Sequence, residues 1–337
     1  MIDEAERLTD EQLAALERRI ARIYRDARNA LEAQAQAYFE QFAKRDEEMR
    51  AMLEDGKITS EEYRDWRLTQ IARGHRFTEL RDKCAERLVH ANEVAASYVN
   101  DVTPSLVSLG HNFAAFELEN LGHDLDIGTS FTLWNERTVR RLIVEVPDLL
   151  PPARIDIPKD LLWNREKITN EITAAIIRGE GIPKIAARVQ AVTDANEVSA
   201  RRTARTALTN AQNAGRQDTY TAAVKMGINV KKRWVSAKDN RVRHSHGALD
   251  GQTVPIDQPF ISPLGSRMMP PGDLSLGALG KVIYNCRCAM RTVEKDGIEA
   301  EPRMMRVRNP NTGRNEVIEA ATYTEWMKAQ GRDAYGN

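Results

Sequence analysis

WVSAKDNRVRHSHGALDG, residues 234–251, and NCRC, residues 285–288, hold two of the three cysteines and two of the six histidines in a chain of 337 residues. Most of what precedes them is Ala, Glu, Arg and Leu at helical spacing, so these stretches mark where the fold changes character. A cluster of this kind holds a metal, an active site or a tightly specified polar core. Asn229 to Val235, with Trp234 near its end, and Lys281 to Tyr284 read as short strands, and Cys288 to Val293 continues the second. Pro255, Pro259, Pro263, Pro270, Pro271 and Gly272 exclude regular structure over much of the segment between them. The unit they describe is small, loop-rich and α+β.

Upstream the pattern is helical. Thr9-x-x-Gln12 reads as a capping box, and no Pro or Gly interrupts Leu13 to Leu53, where Leu13, Leu16, Ile20, Ile23, Tyr24 and Leu31 recur at helical spacing. Asp55-Gly56-Lys57 breaks this helix. Thr59-x-x-Glu62 starts a second, which runs past a weak point at Gly74 to about Val102, ahead of Pro104. Two long helices joined by a tight turn make an antiparallel hairpin. Such an arm has little core of its own and is expected to lie against another chain.

Gly110, Gly122 and Gly128 punctuate shorter helical pieces, Trp134 to Val144 reads as a helix, and Pro151-Pro152 with Pro158 mark an extended connection and domain boundary. Trp163 to Arg178 is a further helix, Gly179-Glu180-Gly181 a turn, and Pro183 the first position of the next helix. Asp194-x-x-Glu197 caps a third helix that continues to Met226, with Gly227 as its stop. After Val293, Met304 to Arg308 and Asn315 to Ile318 flank Asn309–Gly313 as a hairpin, and Thr322 to Gln330 is a helix anchored by Trp326. The predicted fold is mainly α. Its segments are a helical hairpin over 1–107, short helices and a linker over 108–160, the helical part of the C-terminal domain over 161–228, its α+β part over 229–295, and a hairpin with a final helix over 296–337.

Composition agrees with that class. Hydrophobic residues at 42% and charged residues at 29% are ordinary for a globular protein, whereas aromatics at 6% favour helices over a sandwich. A chain of this length should hold more than one packed unit. The first residues are polar and acidic, and no apolar run approaches the roughly 20 residues of a membrane span, so the chain reads as soluble and unexported. Three cysteines, with Cys84 alone in a helical stretch, cannot form a disulfide framework and fit a reducing compartment.

Lys plus Arg equals Asp plus Glu at 49 each, so no overall charge favours nucleic acid. Locally the balance differs. Between Arg201 and His246 the only acids are Asp218 and Asp239, which makes Arg201, Arg205, Arg216, Lys231 and Lys232 candidate contacts for a phosphate backbone or a partner. The alternative is that Arg201 and Arg205, one turn apart, pair with acids of the front half or of a partner.

Three chemistries compete for the cluster itself. In a strand, residues two apart face one side, so Cys286 and Cys288 can converge on one ion. Zinc is the candidate, with His246 as third ligand and His244 or Asp250 completing a tetrahedron. In the second, Cys286 and Cys288 are small buried residues and His246 a hydrogen-bonded core histidine, with Trp234, Asp239, Arg243, Asp250 and Asn285 fixing the fold. In the third, His246 is a catalytic base beside Asp239, Arg243 and Asp250; no Gly-rich phosphate loop or nucleophile elbow accompanies it.

The stretch from about Trp163 to Val293 resembles the phage Mu protein F-like family, minor head proteins of tailed phages. The motifs behind the resemblance are Ala204-Arg-Thr206, Gln212-Asn-Ala-Gly-Arg216, Gly227, Trp234 to Asp239, Arg243-x-Ser-His246-x-x-Leu-Asp-Gly251, Pro271-Gly-Asp273 and Asn285-Cys-Arg-Cys288. One departure is Ala207, where the family commonly has an acidic residue. The resemblance implies a virion component made in the host cytoplasm and placed near the portal vertex, not an enzyme. Its implied partners are the portal protein, other head proteins and DNA, and its implied roles are head morphogenesis with DNA packaging or delivery. The competing expectation is an enzyme or toxin effector that uses the His246/Asp239/Arg243 cluster.

Overall fold

The computed structural model describes residues 3–72, 75–124, 131–145, 152–178, 180, 182–294, 304–308, 312, 314–319 and 322–337. The turns expected at Gly74, Gly128, Pro151, Gly179, Gly181 and most of 309–313 lie outside them.

Helix α1 (Glu4–Glu54) begins earlier than the Thr9 box predicts. Asp3 Oδ1 accepts from the Glu6 amide and Glu6 Oε2 from the Asp3 amide, each at 2.7 Å. This reciprocal pair satisfies the helix's first free donors, so Thr9 falls inside the helix and donates to the Ala5 carbonyl. The Thr59–Glu62 box does start α2 (Ser60–Ala72). Helix α3 (His75–Asp124) continues through Pro104 instead of stopping before it. Proline removes one helix hydrogen bond, but Leu106, Val107, Leu109, Ala114 and Ala115 just beyond it are all buried, and that burial outweighs the loss. Gly110 and Gly122, expected as breaks, therefore sit within the helix.

Helix α4 (Glu136–Glu145) follows, then α5 (Ile157–Ile177), which Asp156 caps and which starts ahead of Trp163. Helix α6 (Ile182–Lys225) is continuous across the expected cap at Asp194, whose carboxylate instead pairs with Arg28 at 2.5 Å. Gly227, at φ +88°, ends it as expected.

The chain forms two compact units and crosses between them four times. One comprises residues 17–97 and 154–201. Its α1 and α3 segments run antiparallel, with Tyr24 hydrogen-bonded to Asn92 and Arg76 to Gln41. Leu31, Phe39 and Phe42 of α1 share a core with Phe77 and Leu88 of α3, Ile168 and Ile172 of α5, and Ile185 and Val189 of α6. The apolar face of the arm, expected to need another chain, is thus covered by α5 and α6 of its own. A polar chain links all four helices: Tyr24 to Asn92, Asn92 to Asn196, and Asn196 to the buried Asn164 at 2.9 Å. Such a network fixes the helices in one register.

The other unit comprises residues 1–16, 98–153 and 202–337. Here α3 and α6 approach so closely that a Cβ on Gly110 would lie 1.9 Å from the Gln212 carbonyl oxygen, and one on Gly215 2.1 Å from that of Val107. Against them packs an antiparallel sheet ordered β2-β1-β5, made of β1 (Val230–Val235), β2 (Thr253–Pro255) and β5 (Ala289–Glu294). Strands β3 (Phe260–Ile261) and β4 (Arg267–Met268) form a small ribbon. Of the stretch 281–284, expected as a strand, residues 281–283 belong instead to a single helical turn, α8 (Gly280–Ile283), because one turn buries the adjacent Val282 and Ile283 together. The hairpin of β6 (Met304–Arg308) and β7 (Asn315–Glu319) and the helix α9 (Tyr323–Ala329) complete the unit. Trp326 is the expected anchor, buried and 5.6 Å from the Phe116 ring. The architecture is mainly α with few and small antiparallel strands. No helix among the described residues is long and apolar enough to cross a membrane.

Candidate functional site

One face of α6 carries a polar stripe that grips the backbone of the NCRC stretch. Thr206 Oγ1 accepts from the Asn285 amide, Thr209 donates to the Cys286 carbonyl at 2.9 Å, and Asn213 Nδ2 donates to the Cys288 carbonyl at 3.0 Å. Asn213 Oδ1 then accepts from the Met290 amide, and Arg216 donates to the Met290 carbonyl at 2.8 Å. The spacing of three, four and three residues keeps all four side chains on one side of the helix. Asn285 itself sits at φ +58°, a left-handed turn that Asn tolerates and that redirects the chain into Cys286.

That turn brings both thiols against His246, which lies on the single-turn helix α7 (His244–Gly247). Cys288 Sγ is 3.3 Å and Cys286 Sγ 3.7 Å from His246 Nδ1, and all three residues are buried. His246 Nε2 lies 2.6 Å from the Val282 carbonyl oxygen. A carbonyl can only accept, so Nε2 carries the ring proton and Nδ1 turns its lone pair toward the sulfurs. The Trp234 indole, fully buried, walls the imidazole edge-on at 5.7 Å. The Cys288 thiol beside it holds Cys286 below the usual thiol range, and the same contact together with burial pushes Cys288 up.

His244 is exposed and stays out of this group, because two residues along a helix point to nearly opposite sides. Asp250 is also elsewhere: it accepts from the Ser236 amide at 2.8 Å and so closes the loop after β1. Asp239 binds Arg287 through both oxygens at 2.6 and 2.8 Å, and this pairing holds its carboxyl down at about 2. Arg243 donates to the carbonyls of Val282 and Tyr284. A cleft lined by Arg205, Arg241, Arg243, Arg287 and Asn285 reaches His246 and Cys288.

The candidate contact residues divide. Arg216 is fully buried, paired with Asp3 at 2.7 Å and stacked over Phe113, and Lys232 is fully buried with Nζ on Gln217 and the Met269 carbonyl. Neither presents charge to solvent, contrary to the expectation that they contact a phosphate backbone or a partner; the alternation of β1 turns Lys232 inward. Arg201 pairs with Glu197 and Glu17. Arg205 and Lys231 remain partly exposed.

Sequence reasoning missed the roles of Thr209 and Asn213 and the close approach of α3 and α6 at Gly110 and Gly215. A signal existed for the first two: with Thr206 and Arg216 they form a buried polar row at 206, 209, 213 and 216, a spacing that keeps to one face of a helix.

Residues 166–291 match the model of the family described as phage Mu protein F like protein, which bears out the resemblance over that segment. Minor head protein GP7 of Bacillus phage SPP1 is 34% identical over 182 residues, covering 53% of this chain and 56% of that protein. NAD(+)--arginine ADP-ribosyltransferase EFV of Enterococcus faecalis is 32% identical over 166 residues, 48% of this chain and 31% of that protein. The chain thus spans about half the length of the first of these relatives and less than a third of the second. No solved structure matches the chain significantly.

Proposed function

We propose that this chain is a minor head protein of a tailed phage, carried in the virion near the portal vertex and acting in head morphogenesis. The observation that carries the reading is the 34% identity to a protein named as a minor head protein, together with the family match over 166–291. That segment includes the polar stripe of α6, the histidine and both clustered cysteines. The portal protein is the proposed first partner, with other head proteins around it and DNA as a further one.

The geometry favours this over an enzyme built on His246, Asp239 and Arg243. Nδ1 of His246 faces two thiols and Nε2 a carbonyl, Asp239 is engaged by Arg287, and Arg243 holds two backbone carbonyls. None of the three is oriented toward another as a base and its orienting partner must be. The relative named as a transferase shares 31% of its length with this chain, so the match by itself does not carry the activity in its name over to this chain.

Co-expression with the portal protein of the same phage tests the proposal. Stable co-purification is the expected outcome, along with detection of the chain in purified virions. A monomer indifferent to portal and absent from virions would overturn the reading.

A further inference from the structure

We propose that His246, Cys286 and Cys288 hold a zinc ion through Nδ1 and the two Sγ atoms, with the fourth coordination position opening on the arginine-lined cleft. The donors fit. Zinc bonds of about 2.3 Å to sulfur and about 2.0 Å to nitrogen at a tetrahedral angle put N and S about 3.5 Å apart. The two N···S distances here are 3.3 and 3.7 Å, and the three donor atoms all lie within 4.8 Å of one another.

The surroundings fit as well. The hydrogen bond from Nε2 to the Val282 carbonyl selects the tautomer that leaves Nδ1 free to ligate, the usual outer partner of a metal-bound histidine. Both cysteine carbonyls are fixed by α6, through Thr209 and Asn213, so the sulfurs are positioned before any ion arrives. Among the described residues no fourth His, Cys, Asp or Glu joins the group. Because the cleft reaches His246 and Cys288, the remaining position is supplied from solvent, as water or a small anion held by the surrounding guanidinium groups.

The site does not depend on the proposed role in the phage head, and its test uses the full chain alone. Protein produced with added zinc and purified without chelator should carry about one zinc per chain. Cobalt(II) in its place should give the charge-transfer absorption of thiolate ligation. Modification with a thiol reagent should spare Cys286 and Cys288 until a chelator is added. His246→Ala and Cys288→Ser should lower the zinc content to near zero, whereas His244→Ala, at an exposed histidine outside the group, should keep it. If either ligand variant fails to fold, the cobalt spectrum and thiol protection of the unaltered chain decide the matter. Folded protein without stoichiometric zinc, or with both thiols reactive or joined as a disulfide before chelation, would overturn the proposal.

Discussion

Asn213 in the middle of α6 holds the backbone at Cys288 from both sides, donating to its carbonyl at 3.0 Å and accepting from the amide of Met290, two residues on, at 3.2 Å. One buried side chain therefore sets where the second cysteine of the NCRC stretch points. Replacing it with Ala leaves a buried carbonyl and a buried amide without partners. Asn213→Ala should cost about 3 kcal/mol in urea unfolding, from two unmet groups at roughly 1–3 kcal/mol each. A loss below about 1 kcal/mol would show that water or backbone movement replaces both bonds.

Gly110 and Gly215 mark the crossing of α3 and α6. In each case an added Cβ would meet backbone oxygen at about 2 Å, which no side-chain rearrangement can relieve. Gly110→Ala and Gly215→Ala should each destabilise by on the order of 3 kcal/mol or more in thermal unfolding. Gly247→Ala, where nothing lies within 4 Å, is the control and should change little.

Glu117 accepts a hydrogen bond from Tyr220 and lies 3.8 Å from Arg216 in the core of the same unit. Burial raises its carboxyl from the ordinary 4.5 to about 7, and it outweighs the lowering effect of Arg216, whose charge Asp3 also shares. The folded state thus keeps a proton that the unfolded chain releases. Stability should be greatest below pH about 4.5 on this account, fall as pH rises toward 7, and level off above it. Glu119, raised to about 7 mainly by burial, adds a change of the same sign. The Glu117 part is isolated by Glu117→Gln, which should match the unaltered chain near pH 4.5 and exceed it at pH 8 by on the order of 3 kcal/mol. A difference independent of pH between 4.5 and 8 would refute this.

Lys232 separates buried from exposed basic charge. Lys232→Met removes hydrogen bonds to Gln217 and the Met269 carbonyl, and should lower stability by about 2 kcal/mol. It should leave the salt dependence of any DNA binding unaltered, since that slope counts cations that reach phosphate. Lys231→Gln, one residue away and partly exposed, is the matching variant for a surface contact.

Much of the fold was legible in local pattern. The α1–α3 hairpin, the Gly227 stop, β1, β5 and the Trp326 helix follow from periodicity and capping residues. The misreadings share a cause: Thr9, Pro104 and Asp194 each carry a local signal to start or stop a helix, yet each lies inside one. At Thr9 a nearer box won, and at Pro104 the burial of neighbouring apolar residues outweighed one missing hydrogen bond.

By itself the sequence determined the residue types available at the candidate site: two cysteines at strand spacing, a histidine ahead of a Leu-Asp-Gly turn, and arginines nearby. Those are properties of composition and spacing, and they also carried the family resemblance. Only the tertiary structure decided which of these side chains meet. The stripe of α6 grips a backbone some 75 residues away, as the Asn213–Cys288 bond shows, and this pairing turns both sulfurs onto His246 while leaving His244 in solvent. Burial likewise decided that Arg216 and Lys232 are internal cations, because the direction a side chain faces depends on what its element packs against, which lies far along the chain.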